Sequence, residues 1–589
     1  MAVDQSPMNN LITEHIDVWT SAVKTKSTSG RGSSKKLELY GVKKLRELIL
    51  ELAVRGKLVP QDPNDEPASV LLERIAQEKA QLVKEKKIKK PRKYEPIEYN
   101  SLPFNIPSSW KWARIEDLGH DLGQKKPDKT FTYVDVGSIN KELGYIDEPS
   151  ILEHSEAPSR ARKLVQKNTV IYSTVRPYLL NIAVIDRDFN PEPIASTAFA
   201  IIHPLSGISS SYIYRYLRSP SFIEYVESVQ TGIAYPAIND KQFFFGLIPV
   251  PPSAEQHRIV AKADELMALC DQLEQQTEAS IEAHQVLVTT LLDTLTNSAD
   301  ADELMQSWAR ISEHFDTLFT TEESIDQLKQ TILQLAVMGK LTPQNPSDEP
   351  ASELLKRIAE EKAQLVKEKK IKKQKALSPI AEDEKPFELP NGWVWERIGN
   401  LSNLIEYGSS QKTVDPFPGG VPVLKMGDIQ NGQLILGDHK MMSTDVDDLP
   451  YLYLKNNDIL YNRTNSSELV GKTGIFKGEN DKYSFASYLI RIRCNSSNVL
   501  PDYVNLSMNT PLFRTTQIVP HIKKQCGQAN VNGTLMKSML VSIPPLNEQK
   551  HILSKVNELI SACNLLKSSL AKSKENQLAT ADSIVSNLT

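Results

Sequence analysis

Cysteine is scarce, with four in 589 residues, and none has the short paired spacing of metal-binding or redox motifs. Two of them, Cys270 and Cys563, hold equivalent places on predicted helices of an internal repeat. They read as small buried thiols in a reducing cytoplasm. No apolar run approaches the roughly 18 residues of a membrane span. Residues 1–15 lack the basic region and apolar core of a secretory signal. A cytoplasmic protein with no membrane segment is expected. Catalytic motifs are missing too. No Gly-x-Gly-x-x-Gly follows a predicted strand, and there is no His-Glu-x-x-His. Gly471, Lys472 and Thr473 resemble the end of a phosphate-binding loop, but Ser466 stands where its earlier glycine is needed. His154, His203 and His439 are isolated. There is no excess of positive charge either: the net charge is −4, so any nucleic-acid affinity must come from local patches.

What the chain has is repetition. Residues 52–90 (LAVRGKLVPQDPNDEPASVLLERIAQEKAQLVKEKKIKK) return at 335–373 with only seven differences, and a repeat this clean governs the fold expectation. Residues 12–17 (ITEHID) return as 311–316 (ISEHFD). Trp110-x-Trp112 returns as Trp393-x-Trp395, and IPVPPSAEQHRIV at 248–260 returns as SIPPLNEQKHIL at 542–553. The order is helical block, variable block, helical block, variable block, helical tail. The middle holds both halves of a unit whose halves sit separately at the two ends. A cyclic, pseudo-twofold molecule follows if head and tail rebuild the middle. With 40% hydrophobic and 24% charged residues, the composition is that of a soluble globular protein, and the length suits three to four domain-sized units.

Taken in order, residues 10–24 read as a short helix and Lys24–Lys36 as a Ser/Gly/Lys linker. A helical face over 37–55 ends at Gly56, which fits a C-cap. A second helix is expected over 68–90, with Leu71, Ile75, Leu82 and Ile88 on its apolar side, stopped by Pro91. Its basic run KEKKIKKPRK reads as a solvated face balanced by Glu73, Glu78 and Glu85. From Trp110 the pattern changes to short strands at 168–175, 181–186 and 198–204, then a helix over 210–229 broken near Pro220. The second variable block repeats this plan at 457–464, 486–494 and 501–513. Long helices follow each block. Ile259, Leu266, Leu273 and Leu287 recur at seven-residue steps, as do Ile552, Leu559 and Leu566, which predicts coiled-coil seams. Ser253 and Gln256 form a capping-box pattern at the first helix start. Trp110, Trp112, Trp393 and Trp395 read as core.

Three features together resemble the specificity subunit of type I restriction–modification enzymes: Trp-x-Trp opening each variable block, Pro-Pro followed by Glu-Gln closing it, and helical repeats between. The resemblance spans nearly the whole chain. It implies an α+β fold, with two α/β target recognition domains separated by long antiparallel coiled-coil helices in a pseudo-twofold cyclic arrangement. The expected boundaries are an N-terminal helical region with its linker (1–100), recognition domain 1 (101–252), a central helical spacer (253–386), recognition domain 2 (387–545) and a C-terminal helix (546–589). The resemblance implies a non-catalytic subunit, each domain reading half of an asymmetric bipartite site in double-stranded DNA. Its implied partners are two methyltransferase subunits and the restriction/translocase subunits. No cofactor is expected here; S-adenosylmethionine, ATP and Mg are expected in the partners. The Asn-Pro-Pro-aromatic motif of base methyltransferases is absent, consistent with catalysis by partners. Expected DNA contacts lie in loops after the aligned strands: Gln124, Lys125, Lys126, Arg176 and Tyr178 in the first domain, Gln411, Lys412, Arg463, Asn465 and Lys472 in the second. Arg pairs with guanine and Asn or Gln with adenine. A coiled-coil adaptor with two protein-binding modules is the alternative, and a stand-alone nuclease a further one. The helices 68–90 and 351–373, each about 23 residues or roughly 35 Å, are expected to act as a ruler near one turn of B-DNA.

Overall fold

Two proline pairs decide where the longest elements start. Pro251-Pro252 and Pro544-Pro545 lack amide donors and resist helical extension. Directly after them run helices Ser253–Asn297, 45 residues, and Leu546–Leu588, 43 residues. A computed structural model describes residues 12–26, 36–92, 94–98, 102–525 and 528–589. Most of the Ser/Gly/Lys linker and Cys526 lie outside the described residues. The chain divides into two compact units, Met1–Ser280 with Ser573–Thr589, and Ile281–Lys572. Each long helix begins in one unit and ends in the other.

In the first unit, helix Tyr40–Val54 buries Leu45, Leu48, Ile49, Leu52 and Ala53, the face its periodicity predicts. Arg46 reaches Asp271 and Glu274 of the long helix, each at 2.7 Å. The end of the tail helix meets the same element. Tyr40 donates its hydroxyl hydrogen to Asp582 at 2.6 Å, and Arg55 donates to the Thr589 carbonyl at 2.7 Å. Gly56 closes the helix with φ +71°, and the Lys57 amide returns to the Leu52 carbonyl at 2.9 Å, a Schellman motif. The second unit repeats this with continuous chain. Helix Glu322–Val337 ends at Gly339, φ +70°, with the Lys340 amide on the Leu335 carbonyl at 3.0 Å. Lys567 pairs with Asp326 at 2.7 Å. The Lys340 side chain donates to the carbonyls of Thr296 and Ser298, both at 2.8 Å. Its repeat counterpart, Lys57, donates to the Leu588 carbonyl at 3.1 Å. Head and tail in unit one thus rebuild what the middle makes in unit two.

Four sequence expectations need correction. The second helix of each repeat ends earlier, as Ala68–Lys84 and Ala351–Lys367. At 17 residues each they extend about 25 Å, short of a DNA turn. The lysines of 85–90 and 368–373 beyond them are exposed, and only Ile88 and Ile371 there are half-buried, which gives a further helical turn little to pack against. The helix before Pro91 is also read from the sequence as lying beside the tail helix; helix Tyr40–Val54 takes that place. Helix Ala68–Lys84 lies instead on the first variable block, where Lys79 donates to the Gly119 carbonyl at 3.2 Å. Leu287 is 50% exposed, and Val288, Leu292 and Leu295 are buried in its stead. From Ile259 to Leu295 the buried stripe keeps the α-helical period, which drifts from a strict seven-residue repeat by about 20° per heptad. Finally, Gln256 makes no capping box. Its buried amide accepts from the Ser209 amide at 2.8 Å and donates to the Pro251 carbonyl at 3.1 Å.

That glutamine belongs to a latch at the base of each variable block. Strand Lys111–Arg114 pairs antiparallel with Leu247–Val250, and Val394–Arg397 with Leu540–Ile543, so each block leaves and returns at one place. Trp110 is 2% exposed and donates its indole hydrogen to Glu255 at 2.9 Å; Trp393 is 6% exposed and does the same to Glu548 at 2.9 Å. Gln61 and Gln344 donate to the second oxygens of these carboxylates. The first tryptophan of each pair and the Glu-Gln motif are therefore two sides of one buried contact; Trp110 and Trp393 are core, as expected, while Trp112 and Trp395 are only half-buried.

Burial raises the Glu255 and Glu548 carboxyls above their ordinary range, against the opposing indole and amide hydrogen bonds. A raised folded-state value favours the protonated form. The stability this lends is fully present below the unfolded value, about 4.3, and is lost as pH rises through the folded value. Glu255→Gln removes the titration. The denaturation midpoint of the variant, relative to the unsubstituted protein, should therefore improve as pH rises from about 4.3 towards neutrality. A pH-independent difference would count against this.

The variable blocks are mixed sheets flanked by short helices. In the first, Ile182–Val184, Val170–Ser173, Phe199–Pro204 and Gly119–His120 form one sheet. In the second, Ser402–Tyr407, Leu489–Cys494, Ile459–Asn462 and Thr473–Ile475 are successive neighbours in a six-stranded sheet. The strands read at 168–175, 181–186, 198–204, 457–464 and 486–494 are all present. The broken helix appears as Ser210–Leu217 and Pro220–Val229, with Ser219 capping the second.

Candidate nucleic-acid interface

In the first unit, strand Val170–Ser173 delivers the chain into a loop that carries Arg176 and Tyr178. Arg176 has φ +50°, a left-handed conformation uncommon for a side-chain-bearing residue. A second loop, Thr231–Ala237, closes on itself through reciprocal Thr231 and Ala237 amide–carbonyl bonds at 2.9 Å. Asn239 ends it by capping helix Asp240–Phe245. The two loops are stitched together: the Arg176 amide donates to Pro236 at 2.8 Å and the Ile238 amide to Thr174 at 2.9 Å. The Arg176 guanidinium lies over the Tyr235 ring, 4.8 Å from its centre. Around this pair, Tyr178 and Tyr235 are exposed and Ile233 is fully exposed. Exposed apolar and aromatic groups gathered round an arginine make this a candidate binding surface, and a cation stacked on a ring leaves hydrogen-bond donors at its edge.

In the second unit the equivalent strand, Ile459–Asn462, delivers Arg463. Its guanidinium lies 5.0 Å from the centre of the Tyr407 ring and donates to the Ser487 carbonyl at 3.0 Å. The Tyr407 hydroxyl accepts from the Gly533 amide at 2.7 Å, just after Asn532, the cap equivalent to Asn239. Gln411 joins this group through Ser409, whose hydroxyl accepts its amide at 3.2 Å and whose carbonyl accepts Ser487 at 2.8 Å. Tyr488 is exposed beside it. Both units therefore place the arginine that follows the equivalent strand over a tyrosine, which comes from the Thr231–Ala237 loop in the first and from the end of strand Ser402–Tyr407 in the second.

The remaining expected residues are distributed unevenly. Lys125 is held between Glu192 at 2.7 Å and Asp128 at 3.0 Å, and these hydrogen bonds raise its pKa. Gln124 bridges to Lys163 in the sheet, while Lys126 is exposed. Lys412 is exposed. Asn465 lies in strand Thr464–Asn465, paired with Gln528–Asn530, and its side chain accepts from the Ser466 amide at 2.8 Å. Lys472, whose carbonyl accepts from the Asn462 amide at 2.9 Å, lines a cleft of about 1030 Å³ together with Asp326, Asn564 and Lys567. Sequence reasoning missed Ile233, Tyr235, Tyr407 and Tyr488. The signal for the first two was present, since apolar residues between Gly232 and Pro236 stand in a turn where solvent is expected.

Among the described residues no group of three or more His, Cys, Asp or Glu side chains could hold a metal ion. No described helix is long and apolar enough to cross a membrane. Cys270, Cys494 and Cys563 are buried free thiols.

Comparison with known proteins gives a consistent result. The family model described as type I restriction modification DNA specificity domain matches residues 107–283 and 390–574. The chain is 40% identical to the type I restriction enzyme EcoEI specificity subunit of Escherichia coli, over 98% of this chain and 99% of that one. It is 41% identical to the EcoAI specificity subunit of Escherichia coli, over 98% and 99% respectively. A solved chain from a study of complex assembly and conformational transition of the type I R-M system is 20% identical, with a TM-score of 0.50, covering 82% of this chain and 99% of that one. This last likeness is one of fold.

Proposed function

The chain belongs to the family of type I restriction–modification DNA specificity subunits, and on that premise we propose that each of its two recognition domains reads one half of an asymmetric, bipartite DNA target. The adaptor alternative falls with that membership. We assign the domains to residues 101–252 and 387–545, and the helical regions to 1–100, 253–386 and 546–589. The observation that carries the reading is the paired arginine–tyrosine stack. In each unit the arginine after the equivalent strand lies over a tyrosine, while the origin of that tyrosine and the side chains around it differ. Base identity is read by a few side chains on a common support, and two half-sites need two such supports with different contents. Arg176, Tyr178, Ile233 and Tyr235 are the contacts proposed for one half; Gln411, Lys412, Arg463, Asn465 and Tyr488 for the other. Lys126 and Gln124 flank the first group. Lys125, with two carboxylates, and Lys472, in its cleft, are the weakest of the expected set.

The subunit itself performs no chemistry in this proposal. Two methyltransferase subunits using S-adenosylmethionine and restriction subunits using ATP and Mg act on the DNA that it selects, in the cytoplasm. The test is selection from a random duplex pool by this chain together with a methyltransferase subunit. A bipartite consensus is expected, and no methylation or cutting by the chain alone. Adenine methylation or metal-dependent cutting by the partner-free chain would overturn the assignment.

The ruler also moves. Helices Ala68–Lys84 and Ala351–Lys367 are too short and lie on the variable blocks. Helices Ser253–Asn297 and Leu546–Leu588 each run from one unit into the other, so we assign the spacing of the half-sites to them. Seven residues inserted in both, near Ser280 and Lys572, lengthen each by about 10 Å, roughly three base pairs at 3.4 Å. The preferred unread gap in a methylation library should grow by up to that amount, with both half-sequences kept. An unchanged gap in a folded insertion variant would leave these helices as a platform only.

A further inference from the structure

One motif of the sequence is not used by the recognition loops. The ten residues Lys84–Lys93 hold seven basic side chains against one acid, and residues 367–376 hold six against one. This is the densest positive charge in a chain of net charge −4. The core of the run, residues 83–90, is identical to residues 366–373, while the neighbouring variable blocks have diverged almost throughout.

The structure does not leave this run on a helix face. Both helices stop at the lysine before it, and the chain turns. The Lys86 amide donates to the Val83 carbonyl at 3.0 Å and the Lys87 amide to Leu82 at 2.9 Å; Lys369 and Lys370 repeat this on Val366 and Leu365 at 3.0 and 2.9 Å. The turn residue is left-handed in both copies, φ +58° at Lys86 and at Lys369. Glycine is the usual occupant of that position, and a lysine there carries a backbone penalty of about 1 kcal/mol. Ile88 and Ile371 are half-buried, while Lys86, Lys89 and Lys90, and Lys369, Lys372 and Lys373, are exposed. Lys87 and Lys370 pair with the single glutamates Glu85 and Glu368 at 2.8 Å.

A solvated helix end explains part of this. Cations near a helix C-terminus gain from its dipole, by about 0.3–1 kcal/mol and only within the last turn. That covers Lys84 and Lys367. It does not account for a left-handed lysine kept twice where glycine fits better, nor for the lysines beyond the turn. Position supplies a further argument. In unit one the segments on either side of the turn are tied to residues 116–119: Lys79 donates to the Gly119 carbonyl and the Arg92 amide to Glu116, both at 3.2 Å. Strand Gly119–His120 leads from there to Gln124. In unit two Lys362 donates to the Gly399 carbonyl at 2.9 Å and Arg397 to the Ser378 carbonyl at 2.9 Å. Strand Ser402–Tyr407 leads from there to Gln411. Each lysine turn is thus tethered to the foot of the strand that feeds a recognition loop.

We propose that Lys86, Lys89 and Lys90 in one half, and Lys369, Lys372 and Lys373 in the other, grip DNA backbone phosphates beside each recognition domain, without regard to sequence. The inference rests on the reading of the chain as a DNA specificity subunit and supplies what that reading lacks, the positive charge that near-neutral recognition blocks do not carry. Phosphate contacts fix register and affinity, base contacts fix sequence, and a duplicated reader with interchangeable bases but an unchanging backbone needs diverged loops beside identical lysines.

The experiment uses the full chain assembled with its methyltransferase partners, and two duplexes, one with the selected target and one without. The variant carries Lys86→Gly and Lys369→Gly, which suit the left-handed turn, and Lys→Gln at 89, 90, 372 and 373. Affinity for both duplexes should fall by the same factor. The slope of log K against log salt should become shallower by about 0.9 for each phosphate no longer neutralised, up to about 5 in all. The ratio of target to non-target affinity and the melting temperature of the chain should hold. An unchanged salt slope overturns the proposal. So does a changed target preference, which would make the lysines base readers, or loss of the methyltransferase subunits at unaltered DNA affinity, which would make the turns a dock for an acidic protein surface. If the unsubstituted complex prefers no sequence, the specificity reading fails first and the clamp falls with it.

Discussion

Trp110→Ala should cost the first unit about 3–5 kcal/mol and leave the second unit's unfolding transition in place. Trp110 is 2% exposed and meets Tyr212 edge to face, ring centres 6.4 Å apart. Its ring also lies against Gly56, where an added Cβ would come within 3.2 Å of it. Removing the indole opens a cavity between the end of helix Tyr40–Val54 and the base of the variable block. It also strips the Glu255 carboxylate of its 2.9 Å donor. A buried acceptor left without its partner adds about 1–3 kcal/mol to the cavity term. Trp393→Ala should act in mirror fashion on the second unit through Glu548 and Gly339. The check is hydrogen exchange resolved by segment: protection should collapse over one unit and persist over the other. A loss below about 1 kcal/mol, within the range of an ordinary surface change, or equal loss in both units, would contradict the latch.

The architecture was legible where the chain repeats itself. Two copies of one pattern gave the twofold plan, the two long helices after the proline pairs and the core role of Trp110 and Trp393, because each signal could be read twice. Where helical and heptad periods differ only slightly, the sequence misled. Leu287 fits a seven-residue step, yet over several turns the α-helical period carries Val288 into the core instead. The basic run looked helical because lysine and glutamate are good helix formers, and nothing in residue type announces that Lys86 adopts φ +58°. The proposed recognition surface was half legible. Arg176 and Arg463 could be placed in loops after strands, but their stacking partners come from residues far along the chain. Tyr235 is brought in by the Thr231–Ala237 loop and Tyr407 by strand Ser402–Tyr407. Likewise the carboxylate that occupies Lys125 is Glu192, on a segment with no local connection to it. Contacts across such distances follow from the sheet order, which pattern reading did not supply.

The central claim is that one chain carries two separate readers, and it is tested most directly by exchanging one of them. Residues 387–545 are replaced by the corresponding block of a relative with a different target, donated with its own Trp-x-Trp opening. Strands Val394–Arg397 and Leu540–Ile543 travel together in this exchange, so the pairing that closes the block is kept. The join at helix Leu546–Leu588 falls after the proline pair, where the helix restarts of its own accord. Glu548 remains to accept the donated tryptophan. The interior of the block also moves as a piece, including the Arg493–Asp458 bidentate pair at 2.7 and 2.6 Å. Asp458 is buried, so separating it from Arg493 would leave a buried carboxylate without its main partner. The hybrid, assembled with its methyltransferase subunits, is then offered a duplex library randomised across both half-sites, and the methylated molecules are sequenced. The prediction is complete replacement of one half-sequence, with the other half and the gap between them unchanged. A hybrid that folds and methylates but alters both half-sequences, or neither, would contradict two independent readers on one frame.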